Sequence, residues 1–129
     1  MIGYVTIGTN DPERAGAFWD ALLAEIGARR VPAFSTDSFL YYSAGKGTPG
    51  LVVTRPYDGE AATPGNGNMI ALAMESRARV DALHAKALEL GGSDEGAPGV
   101  RGPDAAGFYG AYFRDLEGNK ICAFRMGPA

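Results

Sequence analysis

The stretch "GFYGAYFRDLEGNKICAF", Gly107 to Phe124, reads as a strand over Tyr109 to Arg114, a tight turn at Leu116 to Asn119, and a second strand from Lys120 to Met126. Gly and Asn punctuate the turn, and aromatic residues flank it on both sides. An equivalent pair lies upstream, at Phe39 to Ser43 and Gly50 to Arg55; subtracting 70 places Cys122 on Val52 and Tyr112 on Tyr42.

Working outward, each pair is preceded by a strand and a helix. In "GYVTIGTND", Val5 and Ile7 point one way while Tyr4, Thr6 and Gly8 point the other. Asp11 then offers an N-cap oxygen, Pro12 suits the first helical position, and Ala15, Phe18, Leu22 and Ile26 form an apolar stripe with Trp19 beside them, stopped by Gly27. A short extended segment at Arg29 to Pro32 completes the order βαβββ. The second half repeats it: "NMIALAMES" is a strand, Ser76 an N-cap, and Val80, Leu83, Ala87 and Leu90 a helical face ending at Gly91-Gly92. Subtracting 65 places Met69 on Tyr4 and Leu72 on Ile7. Such a period indicates internal duplication. The predicted fold is α+β: two βαβββ modules forming a cupped mixed β-sheet, with helices on the outer face and a shared cavity on the inner one. Residues 1–129 form one domain, with module one at about 1–57, a linker at about 58–67 and module two at about 68–129.

The 129 residues carry 12 basic and 15 acidic side chains, a net charge of -3, and no basic stripe, which argues against nucleic acid and anionic membrane as partners. The apolar runs are too short to span a bilayer and the first twenty residues lack a leader pattern, so a cytoplasmic protein is expected. The single cysteine excludes an internal disulfide or a cysteine-based zinc cluster.

The chain resembles the glyoxalase, bleomycin-resistance and extradiol-dioxygenase superfamily, also called the vicinal oxygen chelate fold. The resemblance is carried by "GYVTIGTNDPERAGAFWDALLAEIGA", "GNGNMIALAMESRARVDALHAKALELGG" and the opening stretch, which is similar to the family motif F-x-D-P-x-G-N-x-I-E. Leu116 stands for the motif's proline and Cys122 for its glutamate. In metal-dependent members four strands each aim one ligand at a divalent ion, and the resemblance places those positions at Tyr4, Val52, Met69 and Cys122. None is an imidazole or carboxylate, so no metal and no cofactor is expected. The lone His84 is expected on the surface or flank of the second helix. Cys122 reads as small apolar filler, since a nucleophilic thiolate needs a nearby cation or base, and only Lys120 shares its strand face.

The register that the resemblance implies turns Tyr4, Thr6, Val52, Thr54, Met69, Ala71, Ala73, Lys120, Cys122 and Phe124 toward the cavity, with Tyr42 and Tyr112 facing inward as a pair. Such a wall suits an amphipathic or aromatic ligand. Arg55 to Asn68 and Gly92 to Gly107 read as long loops framing it, with Arg101 and Asp104 as candidate rim contacts. The favoured function is a metal-free small-molecule-binding protein of the bleomycin-resistance type, acting as a homodimer. The alternatives are a glyoxalase-like lyase, isomerase or other enzyme using non-standard metal ligands or Tyr and Cys acid-base chemistry, and a regulatory module with a vestigial cavity.

Overall fold

In the computed structural model of the chain, which describes residues 1–103 and 107–127, the strand and helix patterns fold into β1 (Tyr4–Gly8), α1 (Pro12–Ala24), β2 (Arg29–Arg30), β3 (Phe39–Ser43) and β4 (Gly50–Thr54), then β5 (Ile70–Ala73), α2 (Arg77–Glu89), β6 (Ser93–Val100), β7 (Phe108–Arg114) and β8 (Lys120–Met126). They divide between two compact units, Met1–Pro64 and Gly65–Ala129. Each unit holds a mixed four-stranded sheet, ordered β1-β4-β3-β2 in the first and β5-β8-β7-β6 in the second. The outermost pairs β1–β4 and β5–β8 run parallel and the remaining pairs antiparallel.

Both helices begin as their caps dictate. The Asp11 carboxylate accepts from Arg14 N and the Ser76 hydroxyl from Arg79 N, each at 3.1 Å, satisfying donors that the first turn leaves without partners. Helix α1 stops at Ala24, where Gly27 takes a φ of 75° and Ala28 N reaches back to Leu23 O. The chain turn there leaves Ile26 only half-buried and makes Leu23 the last core residue of the stripe. Trp19, Leu22, Leu40 and Val53 are buried in the first unit, as are Val80, Leu83, Phe113 and Ile121 in the second. Each such side chain contributes about 1.5 to 3 kcal/mol of transfer free energy.

The strand registers carry the duplication at atomic detail. Thr6 lies opposite Val52, which lies opposite Tyr41; Ala71 lies opposite Cys122, which lies opposite Tyr112. The counterpart of Tyr112 is therefore Tyr41, not Tyr42 as counting back 70 residues suggests. The connection between β3 and β4, 44–49, is one residue longer than that between β7 and β8, 115–119, and a one-residue slip reverses the face of every side chain.

The segment expected to be a long loop after Gly92 contains β6, paired antiparallel to β7 with register shifts between Asp94 and Gly96 and between Gly96 and Gly99. Among the described residues no helix is long and apolar enough to cross a membrane.

Candidate functional site

Each sheet has one face under its helix and one open face. In the first unit, Leu40 and Tyr42 face α1: the Tyr42 hydroxyl donates to Asp20 Oδ1 at 2.7 Å, and Arg30 holds the other oxygen of that carboxylate at 2.8 Å. Burial and the Asp20 carboxylate push the Tyr42 phenol far above its usual range. Tyr42, expected to line the cavity, is thus a core residue tied to the helix.

The open face of the first unit carries Tyr4, Thr6, Tyr41, Val52 and Thr54. The rings of Tyr4 and Tyr41 lie 6.1 Å apart, and Phe34, from the turn after β2, meets Tyr41 edge-on at 5.6 Å. Tyr41 can lie across β4 because residue 50 is glycine; a Cβ there would stand 2.5 Å from Tyr41 Cζ. Tyr4 and Phe34 remain 58% and 64% exposed, large for aromatic side chains, whereas Val52 is fully buried beneath its neighbours. The Thr54 hydroxyl is spent on Ser38 O at 2.9 Å. At the end of β1, Thr6, Gly8, Phe39 and Thr54 line a cleft of about 520 Å³ closed on one side by Tyr57 and Ala62. Asn10 pins that segment: its Oδ1 accepts from Ala62 N at 2.7 Å and its Nδ2 donates to Ala62 O at 3.2 Å. The first of the two expected loops is therefore anchored to module one through residue 62.

On the open face of the second unit, Tyr112 lies in register with buried Cys122. Burial pushes both groups up, so each is protonated at neutral pH, which works against a Cys122 nucleophile and a Tyr112 base. Two cations share the Tyr112 ring: Arg101 Cζ is 5.5 Å and Lys120 Nζ 5.7 Å from its centroid. Glycines in β6 make room for them. A Cβ at Gly96 would stand 3.0 Å from Tyr112 Cδ2, and one at Gly99 2.9 Å from Arg101 Nη1. The Arg101 guanidinium also donates to Ala97 O. Farther along, Phe124 stacks on Phe108 at 5.5 Å with the rings 7° apart. Ala71 and Ala73 are exposed on β5, and Met69, just before that strand, is 47% exposed.

Sequence reasoning passed over Phe34, Tyr41 and Phe108. Tyr41 is placed on the open face by its pairing with Val52, a register that no residue of the β3–β4 connection announces. Asp104 lies outside the described residues.

The metal that the superfamily implies does not fit the side chains at its four positions. Val52 is a buried hydrocarbon, Met69 a soft thioether, and Tyr4 a phenol, while the Cys122 thiol is held protonated by burial. Among the described residues no group of three or more His, Cys, Asp or Glu side chains is placed to hold an ion. His84, expected on the surface or flank of the second helix, is turned inward from it. It is buried between α2 and the sheet, with Nε2 3.0 Å from Asp94 Oδ1 and its ring against Phe113. The Gly96 N–H and then His84 hold the Asp94 carboxyl below its usual range.

The model of the glyoxalase-like domain family matches residues 4–124. A solved glyoxalase/bleomycin resistance protein from Albidiferax ferrireducens T118 is 36% identical, with 99% of each chain covered and a TM-score of 0.86. A glyoxalase/bleomycin resistance protein/dioxygenase family enzyme from Burkholderia phytofirmans PsJN shares the fold at 19% identity, covering 97% of this chain and 98% of that one, with a TM-score of 0.78. TioX from Micromonospora sp. ML1 does so at 21% identity, 97% and 98% coverage, and a TM-score of 0.67. No curated protein matches the sequence. With two βαβββ units in tandem, and a family match that runs from the first strand into the last, the chain belongs to the glyoxalase-like domain family of the vicinal oxygen chelate superfamily.

Proposed function

We propose that this protein binds a small amphipathic or aromatic molecule on its open sheet faces and leaves it chemically unchanged, as a binding member of the glyoxalase/bleomycin-resistance type. The observation that carries the reading is the contrast between those faces and the donor set. The faces present aromatic rings, Tyr4 and Phe34 exposed in one unit and the half-buried Phe108–Phe124 stack in the other. The positions where relatives with a metal would carry ligands hold side chains unsuited to one. Flat rings offer contact area at low entropic cost, and hydroxyls at their edges supply orientation. Tyr112 belongs to the same surface, whereas Tyr42 serves the core.

The test is to purify the protein under mild conditions, release small molecules by denaturation, identify them by mass spectrometry, and add each back. A compound that raises the melting temperature in proportion to its concentration and is recovered intact supports the proposal. Conversion of the compound to product by chelator-treated protein would replace binding with catalysis. The absence of any stabilising compound would leave the open faces as association surfaces.

A further inference from the structure

We infer that the ligand of the second unit's open face carries an oxyanion, such as a carboxylate, sulfonate or phosphate, on a planar or apolar body, and that Arg101 and Lys120 receive it beside Tyr112. The inference rests on the binding function proposed above and narrows it to a chemical class.

Charge is the first observation. The chain is net negative, at -3, yet this face gathers two cations on one aromatic ring. Two arginines of the fold are neutralised by carboxylates: Arg30 pairs with Asp20, and Arg114 with Glu95 on β6. Arg101 and Lys120 form no ion pair among the described residues. Tyr112 and Cys122 stay neutral and supply no competing anion, so among the described residues the two positive charges at this ring meet its quadrupole and, for Arg101, the Ala97 carbonyl, but no carboxylate.

Preorganisation is the second. The Arg101 guanidinium is folded back over the bare backbone of Gly96 and Gly99 and donates to Ala97 O, which fixes its plane before any ligand arrives. A guanidinium already ordered loses less entropy on forming charge-assisted hydrogen bonds to an oxyanion. Away from the Arg114–Glu95 pair the face is apolar: the exposed Ala71 and Ala73 and the Phe108–Phe124 stack offer surface to a hydrocarbon or aromatic body but no hydrogen-bond donor. The recognised molecule is therefore charged at one end and apolar at the other.

Two fluorescent probes with the same aromatic body test this: 1-anilinonaphthalene-8-sulfonate and its neutral parent, N-phenyl-1-naphthylamine. The wild type is expected to bind both, the sulfonate more tightly and with an affinity that falls as salt rises. Arg101→Gln and Lys120→Gln should each weaken the sulfonate about tenfold and leave the neutral probe unchanged. Gly99→Ala, which keeps Arg101 but obstructs its resting place, should weaken the sulfonate in a folded protein. Inorganic sulfate should compete poorly. If the glutamine variants bind the sulfonate like wild type, the oxyanion inference fails while ligand binding stands. If inorganic sulfate displaces the probe as readily as an equal concentration of unlabelled sulfonate, the apolar body is not recognised and the inference fails in that part. If the wild type binds neither probe, both the inference and the proposed function fall.

Discussion

Asp115 closes the turn at the heart of the opening stretch. Its Oδ1 accepts from Glu117 N at 3.0 Å and Asn119 N at 2.9 Å, and its Oδ2 from Asn119 Nδ2 at 2.9 Å, while both residues are buried. Removing a buried charged acceptor leaves several donors without partners, so Asp115→Ala is expected to lose about 3 kcal/mol in urea unfolding, and Asp115→Asn, which keeps one carbonyl oxygen, about half of that. Tyr42 makes a prediction in pH. Its folded-state pKa is raised above the unfolded value of about 10. The folded state therefore holds the phenolic proton more tightly, and the associated stability is complete below pH 10 and declines as pH rises toward the folded value. Tyr42→Phe should cost about 1 kcal/mol near neutrality, and its deficit relative to wild type should shrink above pH 10 in thermal melts. A deficit constant across pH 8 to 11 would contradict the raised pKa that burial and then Asp20 impose on Tyr42.

At the scale of the element, β6 shows why part of the fold was hidden in the sequence. The alternation in β1, the caps of both helices and the strands around the Asp115 turn were legible because local propensity and tertiary demand agree there. "SDEGAPGV" has Gly, Pro and acidic residues where a strand usually has branched or aromatic ones, so it reads as loop. Partners elsewhere hold it extended: Arg114 grips Glu95, His84 grips Asp94, and the glycines accept the Tyr112 and Arg101 side chains that lie over them. The open faces were legible only in parity. Strand pairing sets Thr6 and Val52 on one face and Lys120, Cys122 and Phe124 on another, and it turns Tyr42 to the face opposite Val52; a one-residue difference in connection length cannot be seen by pattern matching. The entry to β6 is tight. A Cβ at Gly92 would stand 2.6 Å from Arg114 O and 2.9 Å from Ala87 O, both backbone atoms that cannot yield, whereas at Gly99 it meets the movable end of Arg101. Gly92→Ala should therefore destabilise by about 2 to 3 kcal/mol and Gly99→Ala by less than about 1 in the same unfolding assay. Equal effects would mean that β6 is not held at its start.

For the whole molecule, the donor set predicts metal indifference. Protein dialysed against a chelator and offered equimolar Zn²⁺ or Ni²⁺ should show no stoichiometric uptake by elemental analysis and no rise in melting temperature. One retained ion per chain, lost in Tyr4→Phe or Cys122→Ser, would overturn that expectation. We also propose that the chain works as a homodimer: each sheet keeps two edge strands, β1 and β2 in one unit and β5 and β6 in the other, and a second copy can cover such edges and the exposed rings beside them. Light scattering should report twice the chain mass at micromolar concentration, and a monomer throughout a dilution series would count against it. Finally, among the described residues β1 finds its parallel partner only in β4, with Tyr4 opposite Gly50 and Gly8 opposite Thr54, and the strand pairs lie inside their own units. During translation, then, β1 must wait unpaired until Thr54 has cleared the ribosome, after which the first sheet can close before β5 joins its own. The nascent chain is thereby asked to bring together one four-stranded sheet at a time, so the two closures can be separate events.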